Sequence, residues 1–292
     1  MKRILITGKN SYIGEAVKSW VKKYHQDFMI HDLCVKDNQW NSTDFTVYDA
    51  VFHVAGIAHS DVGTVDDETK ALYYKVNCDL AIAVAEKARA EGVKQFIFMS
   101  SAIVYGDSAP LGIGKRITSD SVPAPANFYG DSKWQAELGL AALRTDDFKV
   151  AVVRPPMVYG WGSKGNYPRL ARLARKMPFF PNVPNERSII HIDNLCEFIR
   201  LLMVKGDDGV FHPQNMEHTS TSGLVRAIAV AHGKNLKLVR RLGPLVYWFS
   251  GRVGVVDKVF GNFSYDMALS EYRVHYRVRE FTESIRLTEN KD

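Results

Sequence analysis

Residues 127–134 read Asn-Phe-Tyr-Gly-Asp-Ser-Lys-Trp, which places Tyr129 and Lys133 four residues apart. On a helix, this spacing puts both side chains on one face, about 5–6 Å apart. A free tyrosine has a pKa of about 10, and a neighbouring ammonium group favours the charged phenolate. We therefore expect Lys133 to lower the pKa of Tyr129, so that the phenol can act as an acid or base nearer neutral pH. Short motifs also match by chance, so this interpretation depends on the surrounding elements.

Ser101 is a third candidate because of its place after a strand. Residues 95–99 form an apolar run that predicts a strand, and Ser101 follows its carboxyl end. In a doubly wound sheet, ligands bind at that end of the strands. Residues 107–126 are rich in Gly, Pro and Ser and predict an irregular loop over the site. The helix with the Tyr-Lys pair follows this loop and is expected to end near residue 143.

The beginning of the chain predicts a strand over residues 3–7, a tight turn, and a helix over residues 14–23. Backbone N–H groups at a helix N-terminus face an anion, so we expect the turn to hold the pyrophosphate of a dinucleotide. The candidate cofactor-binding residues of this turn are Gly8, Asn10, Ser11, Tyr12, Ile13 and Gly14. Ser11 stands where the fingerprint usually has its middle glycine, which predicts a slightly less close approach of the backbone to the phosphates.

Asp32 follows a second apolar run at residues 28–30. A carboxylate at this place after a glycine turn typically binds the ribose hydroxyls of a dinucleotide. It favours NAD over NADP, since an acid repels a 2′-phosphate, whereas Lys9 and Lys36 leave NADP open. A solvated loop acid is the alternative interpretation of Asp32.

Residues 49–56 read as a buried parallel strand that ends in small residues. Ala55 and Gly56 would let a cofactor lie against the backbone. Residues 33–48 are short and polar, which predicts a crossover without a full helix. Residues 68–90 predict one long helix that Gly92 terminates. We interpret His53 and His59, on either side of the Ala-Gly turn, as structural histidines.

The second half of the chain has a looser pattern. Its predicted strands and helices span residues 148–154, 167–177, 188–192, 193–204 and 221–232. We expect the helix at 193–204 to return to the sheet. Within the apolar stretch at 245–260, we interpret Trp248 and Phe249 as core residues rather than membrane anchors, because charged residues interrupt the stretch.

The composition is that of an ordinary soluble globular protein, with 292 residues, 46% hydrophobic and 24% charged. The net charge of +6 is interpreted as spread along the chain, which favours a small anionic ligand over a nucleic acid. Cys34, Cys78 and Cys196 are few and far apart, so we expect reduced thiols, a cytoplasmic location and no structural zinc. The chain shows neither a signal peptide nor a membrane-spanning run, and no membrane insertion is expected.

The glycine turn, Asp32, Ser101 and the pair Tyr129 and Lys133 occur in an order that resembles one known family. Asn77 in Tyr-Lys-Val-Asn-Cys and the block Phe-Met-Ser-Ser-Ala-Ile-Val-Tyr-Gly also match. Together these motifs resemble the extended short-chain dehydrogenase/reductase superfamily, and within it the NAD-dependent nucleotide-sugar epimerase/dehydratase family. The resemblance is firmest over residues 1–205. The closest pattern is a branch that includes 4-epimerases and 4-ketoreductases.

The resemblance implies an α/β fold, a Rossmann-type doubly wound parallel sheet with a smaller mixed α/β substrate lobe toward the C-terminus. Residues 1–155 would form the NAD(P)-binding domain, and residues 187–205 would return to it. Residues 156–186 and 206–292 would form the substrate-binding lobe. A homodimer is expected through the helix at 68–90 and the helix that carries the Tyr-Lys pair.

The resemblance also assigns roles to single residues. Tyr129 would exchange a proton with the C4 oxygen of a sugar, and Ser101 would hydrogen-bond the same oxygen. Lys133 would hold the nicotinamide ribose, and Tyr129 would also contact the cofactor. Arg187 and Asn166 would bind the nucleotide sugar, with the guanidinium on the diphosphate. Ala55, Gly56 and Asn77 would contact NAD or NADP.

Two departures narrow the reaction. Met157 stands where relatives commonly have an asparagine, so hexose recognition must differ locally. Ala102 and Ile103 stand where 4,6-dehydratases carry an Asp-Glu pair, so dehydration is set aside. The expected activity is a 4-epimerase acting on a UDP-hexose or UDP-N-acetylhexosamine through a transient 4-keto intermediate, in the synthesis of surface polysaccharide precursors. The alternatives are an NAD(P)H-dependent 4-ketoreductase of a UDP-4-keto-6-deoxysugar and a non-catalytic nucleotide-binding regulatory protein.

Overall fold

The computed structural model describes residues 1–58 and 65–290. The strands are β1 (Lys2–Thr7), β2 (Phe28–Leu33), β3 (Ala50–His53), β4 (Gln95–Met99), β5 (Arg116–Ile117), β6 (Lys149–Val153), β7 (Met157–Tyr159), β8 (Phe179–Pro181), β9 (Ile189–His191), β10 (Gly209–Phe211), β11 (Lys237–Val239) and β12 (Ser264–Tyr265). The α-helices are α1 (Tyr12–Val21), α2 (Asp67–Tyr74), α3 (Leu80–Ala90), α4 (Phe128–Leu143), α5 (Asn166–Lys176), α6 (Ile192–Lys205), α7 (Thr221–Ala231), α8 (Gly243–Phe249), α9 (Gly254–Phe260) and α10 (Phe281–Glu289).

The largest sheet has the strand order β10-β6-β4-β3-β1-β2, and its neighbouring strands are all parallel. The inner strands β3 and β4 are buried along their whole length, as expected for a sheet covered on both faces. The chain passes from β1 outward to β2 and then crosses to β3 on the other side of β1. This reversal is the switch point at which open α/β sheets bind ligands. The predicted doubly wound α/β fold is therefore confirmed.

Three two-stranded parallel sheets lie outside the large sheet, and two of them correct the predictions. The segment 107–126 is not wholly irregular, because β5 lies within it and pairs with β12. The strand predicted at 188–192 is β9, which pairs with β7 rather than with the large sheet. The third pair joins β8 and β11. Pairing between distant segments decides these short strands, and hydrophobic periodicity alone does not reveal it.

The helix predicted over residues 68–90 is not one continuous α-helix. Its middle is a π-helical segment, Lys75–Asp79, between α2 and α3. A π turn accommodates an extra residue and is frequent at functional sites. Asn77 lies in this segment and is fully buried. The chain is helical from Asp67 to Ala90, and the π turn was missed because an extra residue in one turn barely changes the apolar periodicity of a long helix.

The chain divides into two compact units. Unit 1 comprises Met1–Gly106, Pro123–Pro155 and Leu195–His212, and it contains the large sheet. Unit 2 comprises Asp107–Val122, Pro156–Asn194 and Pro213–Asp292, with its own core around α5, α7 and β8. The assignment of a cofactor-binding domain and a substrate-binding lobe stays a prediction.

The interpretation of Trp248 and Phe249 as core residues was wrong. Both side chains are exposed on α8. The core-facing side of the segment is formed instead by Val246, Val256 and Val259, which pack against the core of unit 2. Within the described ranges, no helix is at once long and apolar enough to traverse a bilayer.

Candidate active site

The turn after β1 meets the turn after β3 at the switch point of the sheet. Gly8 has a φ of 102°, a conformation that side chains other than glycine rarely adopt. A Cβ atom at Gly8 would lie 2.6 Å from the backbone nitrogen of Ala55. The two turns can approach this closely only because residue 8 is a glycine. The structure thus brings the predicted residues Gly8 and Ala55 together.

The helix α1 opens from this turn with a capped N-terminus. Ser11 is the N-cap, and its hydroxyl accepts a hydrogen bond from the backbone N–H of Gly14 at 3.2 Å. Asn10 adopts a φ of 67° in the turn before it. Tyr12 and Ile13 form the first turn of α1 and are half-buried. Ser11, which stands in the place of a glycine, therefore stabilises the start of α1 as its N-cap.

Asp32 lies in β2, one register pair away from the end of β1. Its carboxylate forms an ion pair with the ammonium of Lys18 on α1, and this hydrogen bond raises the pKa of Lys18. The alternative of a solvated loop acid is wrong, because Asp32 lies in a strand and is partly buried. The position beside the glycine turn is the one that the ribose-binding prediction requires.

Asn77 clamps the turn after β3 onto the helix α4. Its side-chain oxygen accepts from the backbone N–H of Ile57 at 2.8 Å, and its nitrogen donates to the Ile57 carbonyl at 3.1 Å. The same nitrogen donates to the hydroxyl of Ser132 at 3.1 Å. The side-chain hydrogen bonds of Asn77 thus go to the protein itself and fix the backbone beside Gly56.

Gly56 lies against the head group of Lys133. A Cβ atom at Gly56 would be 3.2 Å from Lys133 Nζ and 3.0 Å from the side-chain oxygen of Asn77. Gly56 itself is exposed, whereas Lys133 is only 5% exposed. The predicted residues Gly56, Asn77 and Lys133 therefore lie next to one another, with Gly56 in contact with the other two side chains.

Ser101 lies close enough to Tyr129 for its hydroxyl to lower the pKa of the phenol. Ser101 caps the 3₁₀ turn after β4, where its hydroxyl accepts from the N–H of Ile103 at 3.3 Å. Asn127 caps α4 in the same way by accepting from the N–H of Gly130 at 3.0 Å. A Cβ atom at Gly130 would lie 2.8 Å from the carbonyl oxygen of Ile103. This close packing of two helix starts positions the phenol against the serine hydroxyl.

The expected direction of the Tyr129 pKa shift was wrong. Burial raises the pKa of the phenol to about 12, and the hydrogen bond from Ser101 offsets part of this increase. The ring of Tyr73 packs edge-on against Tyr129, with the centroids 6.0 Å apart. Removal of water from the phenolate outweighs the hydrogen bond from Ser101, because burial disfavours the charged form of an acid.

Lys133 is held by the end of β4. Its Nζ donates to the carbonyl oxygen of Met99 at 3.0 Å and lies 4.6 Å from the ring centroid of Phe98. Burial lowers the pKa of Lys133 to about 8, and the charge of Glu137 offsets part of this decrease. The ammonium is therefore charged at neutral pH but lies close to its titration range.

This lowered pKa predicts a pH-dependent stability difference. The unfolded lysine titrates near 10.4, so the unfolded chain binds more protons between about pH 8 and 10.4, and stability from this group rises with pH over that window. Relative to Lys133→Met, we expect the wild type to gain about 3 kcal/mol of unfolding free energy between pH 7 and 10.4. Urea titrations without added cofactor at pH 7, 8.5 and 10 measure the difference, and a pH-independent difference contradicts the assignment. Lys22→Met, at an exposed lysine, controls for the change of side-chain type.

The sequence analysis missed a buried charge network beneath the site. The Arg154 guanidinium donates to both carboxylate oxygens of Glu137 and to the phenol oxygen of Tyr105. Ser100 also donates to Glu137, and the Tyr105 phenol contacts a ring nitrogen of His212 at 2.8 Å. Two charged residues in the sequence could have indicated this network. Glu137 lies one helical turn after Lys133, and Arg154 directly follows the buried strand β6.

Two predicted substrate-binding residues lie in unit 2. Arg187 donates from Nη1 to the carbonyl oxygens of Lys258, Val259 and Gly261 at 3.1–3.2 Å. Burial lowers its pKa to about 10, and across residues 1–58 and 65–290 no carboxylate forms an ion pair with it. Asn166 is the first residue of α5 and is exposed.

The remaining predicted positions are structural or undescribed. His53 is fully buried, contacts the hydroxyl of Thr7 at 2.8 Å through Nδ1, and has a pKa lowered to about 3 by burial, as a structural histidine should. His59 lies outside the described residues. Met157 begins β7. Over the described part of the chain, no group of three or more His, Cys, Asp or Glu side chains could hold a metal ion.

Comparison with known proteins identifies relatives of this arrangement. The sequence model of the NAD dependent epimerase/dehydratase family matches residues 4–215. A UDP-glucose 4-epimerase of Vibrio cholerae is 32% identical over 298 residues, covering 91% of this chain and 88% of that protein. An N-acetyl-α-D-glucosaminyl-diphospho-ditrans,octacis-undecaprenol 4-epimerase of Escherichia coli O157:H7 is 30% identical, but over only 57% of this chain and 49% of its own length.

Solved structures share the fold. A UDP-glucuronic acid 4-epimerase of Bacillus cereus, solved with NAD, superposes with a TM-score of 0.71 at 14% identity, and 98% of this chain and 97% of that one are covered. A dTDP-4-dehydrorhamnose reductase of Clostridium acetobutylicum gives a TM-score of 0.72 at 18% identity, with 98% of both chains covered.

Proposed function

Because the chain belongs to the NAD dependent epimerase/dehydratase family and is an NAD(P)-dependent sugar-nucleotide epimerase/reductase, we propose that it is a 4-epimerase of a UDP-hexose or UDP-N-acetylhexosamine. The observation that carries this proposal is that the Ser101 hydroxyl acts on the buried Tyr129 phenol, on the same helix whose buried Lys133 borders Gly56. These groups suit proton exchange at one hydroxyl. The 3₁₀ turn after Ser101 begins with Ala102 and Ile103, which offer no second acid or base for dehydration.

The residues at the switch point fit a dinucleotide. The conformation of Gly8 and the exposed Gly56 leave backbone where a side chain would otherwise project, and the N-terminus of α1 opens from the same turn. Gly8, the residues 10–14 and Ala55 would hold the pyrophosphate, and Asp32 would bind the adenosine ribose. Because Asp32 is an acid, we infer NAD rather than NADP as the cofactor. When bound, the nicotinamide supplies the acceptor and donor of a hydride at the sugar C4.

Tyr129 performs the proton transfer in this proposal. Its phenolate accepts the proton of the C4 hydroxyl as the 4-ketose forms, and the phenol returns a proton when the ketose is reduced from the opposite face. Ser101 hydrogen-bonds the same sugar oxygen and keeps it aligned with the phenol. Since burial raises the pKa of Tyr129 to about 12, the positive charge of Lys133 is needed to stabilise the phenolate during the transfer.

Arg187 suits the diphosphate of the substrate. Its side chain is half-buried, and within residues 1–58 and 65–290 it donates to three carbonyl oxygens and forms no ion pair with a carboxylate, so its positive charge is available to an anion. A planar guanidinium can bind phosphate oxygens through paired hydrogen bonds. Asn166 at the start of α5 would contribute a further polar contact.

The direct test incubates the purified protein with UDP-glucose, UDP-galactose and their N-acetylated forms without added NAD(P)H. Polyprenyl-diphospho-N-acetylglucosamine belongs in the same panel, because one relative is named for that substrate. We expect interconversion at C4 in at least one pair, with cofactor retained on the enzyme. Confirmed bound NAD with no C4 interconversion of any substrate overturns the proposal.

A 4-ketoreductase is the second candidate. The group of Ser101, Tyr129 and Lys133 also serves a one-way reduction, and the fold is shared with a dTDP-4-dehydrorhamnose reductase. This function predicts stoichiometric consumption of NAD(P)H with a UDP-4-keto-6-deoxysugar and none without it. An epimerase instead turns over many substrate molecules on its retained cofactor.

A homodimer remains part of the proposal. The helices α2 and α4 pack together and carry the exposed apolar residues Leu72 and Leu138, which pairing across a two-fold axis would cover. Light scattering is expected to give twice the chain mass, and Leu72→Lys together with Leu138→Lys to give the monomer mass. A wild-type monomer mass at every concentration contradicts the dimer.

A further inference from the structure

The segment from α8 to α9 is apolar on both of its sides. Val246, Val256 and Val259 pack into the core of unit 2. On the outer side, Leu245 is 56% exposed, Trp248 is 60% exposed and Val255 is 68% exposed. A helix that is apolar all round is normally buried. The apolar residues on the outer side are therefore exposed where such residues are usually buried against a partner.

Aromatic rings form the centre of this outer side. Trp248 and Phe249 pack edge to face with their ring centroids 4.7 Å apart, and the neighbouring Tyr247 is also exposed. The loop before β5 adjoins these rings, since a Cβ atom at Gly112 would lie 3.5 Å from the Tyr247 ring. The next residue in that loop, Ile113, is exposed as well. We call these exposed apolar residues, together with the exposed basic residues of the segment 234–258, the α8–α9 surface.

The basic residues of the α8–α9 surface hold most of the net charge of the chain. Between residues 234 and 258 there are six basic residues and one acid, against a net charge of +6 for the whole sequence. The interpretation of a net charge spread along the chain with small local clusters is therefore revised. The six basic side chains all belong to exposed residues: Lys234, Lys237, Arg240, Arg241, Arg252 and Lys258.

The single acid of this segment offsets one of these six charges and leaves the segment with a net charge of +5. The carboxylate of Asp257 accepts hydrogen bonds from the Ser250 hydroxyl at 2.5 Å and from the Gly251 N–H at 2.9 Å. It thereby closes the turn between α8 and α9. The guanidinium carbon of Arg252 lies 5.5 Å from the centroid of the Trp248 ring, so exposed aromatic rings and a cation adjoin on the outer side.

We propose that the α8–α9 surface docks on an anionic lipid bilayer. Tryptophan and tyrosine rings favour the head-group level of a bilayer, aliphatic side chains favour the acyl boundary, and clustered cations are attracted to anionic lipids. An interface between protein chains typically depletes charge at its centre and needs acids opposite these six cations. The negatively charged surface that matches this pattern of rings and cations is a membrane. Docking is peripheral and leaves the fold unchanged.

Cosedimentation of the full-length protein with vesicles tests the docking. Vesicles of phosphatidylcholine alone are compared with vesicles that contain about one third phosphatidylglycerol, at low and at physiological salt. We expect binding to the anionic vesicles, little binding to the neutral ones, and weakening as salt rises. Equal binding to both vesicle types, or binding to neither at low salt, overturns the proposal.

Two double variants separate the apolar and the charged contributions. Trp248→Ser with Phe249→Ser, and Arg240→Glu with Arg241→Glu, are each expected to lower the vesicle partition coefficient by about tenfold or more. The matched charge control is Lys22→Glu with Lys23→Glu, an adjacent exposed pair in unit 1. It is expected to retain binding. A loss of binding equal to that of Arg240→Glu with Arg241→Glu would show a non-specific charge effect and overturn the assignment.

A second measurement does not depend on the stability of these variants. Brominated phosphatidylglycerol quenches tryptophans that enter the bilayer interface, and the chain has five tryptophans, of which Trp248 lies on the α8–α9 surface. We expect quenching of the wild type that Trp248→Phe abolishes while vesicle binding persists. Quenching that is unchanged in Trp248→Phe overturns the docking geometry. A wild-type dimer that Trp248→Ser with Phe249→Ser dissociates, without vesicle binding, would assign the surface to a second copy instead.

Discussion

Tyr129→Phe is expected to lower the rate of C4 interconversion by about 10²–10⁴-fold, the range that a positioned acid or base typically contributes. The substitution removes only the phenol oxygen, so the packing of the ring against Tyr73 persists and folding should be retained. The loss should lie in kcat, because the phenol exchanges its proton during reaction rather than supplying binding energy. The measurement compares initial rates and retained cofactor for the wild type and the variant.

The matched control for this experiment is Tyr48→Phe. That phenol contacts a ring nitrogen of His31 at 2.9 Å, so the substitution removes a phenol hydrogen bond that involves none of Ser101, Tyr129 and Lys133. It should leave the rate within about twofold of the wild type. If Tyr129→Phe keeps near-wild-type activity, another group transfers the proton. If cellular function depends on the protein but not on Tyr129, the chain is a non-catalytic nucleotide-binding regulator.

Glu137→Gln is expected to produce the largest loss of stability, about 3–5 kcal/mol, because it leaves the Arg154 guanidinium buried without its counter-charge. The two side chains are only 3% and 6% exposed, and Arg154 Nε lies 3.1 Å from both carboxylate oxygens. The carboxylate also accepts from Ser100, the residue before the proposed catalytic serine. The loss should therefore appear both in urea unfolding and in a lowered kcat.

A double substitution distinguishes the buried charge from simple loss of packing. Glu137→Leu with Arg154→Met removes both charges, so it should cost less free energy of unfolding than Glu137→Gln alone. Arg116→Met, which breaks an exposed ion pair with Glu186, should cost less than about 1 kcal/mol. Equal losses for the buried and exposed pairs would contradict the importance of burial at Glu137.

The buried carboxylate of Glu137 also influences the proton-transfer group Tyr129 through Lys133. The carboxylate of Glu137 lies one helical turn beyond Lys133 on α4, and its charge raises the pKa of that lysine. Glu137→Gln should therefore shift the Lys133 pKa further down and reduce the positive charge beside Tyr129 at neutral pH. The pH above which activity declines would therefore fall. A merely destabilised enzyme does not give this readout.

The parallel sheet and the proposed catalytic trio were predictable because their signals are local. Buried parallel strands appear as short apolar runs, and a turn that needs a glycine conformation selects glycine whatever the rest of the chain does. Ser101, Tyr129 and Lys133 occur in fixed order relative to those runs, and their catalytic roles stay predictions. The short strands β5 and β10 were missed because their pairing depends on segments far away in sequence.

What the sequence by itself determined was the order of the elements, the glycine turn and the identity of the groups that can transfer a proton. Only the tertiary structure decided their protonation, since the pKa of Tyr129 is raised by burial that no local pattern reports. It also decided that Asn77 clamps a backbone turn and that Trp248 faces outward. Spacing along a chain fixes which side chains are neighbours on one helix, whereas desolvation and exposure depend on everything that packs around them.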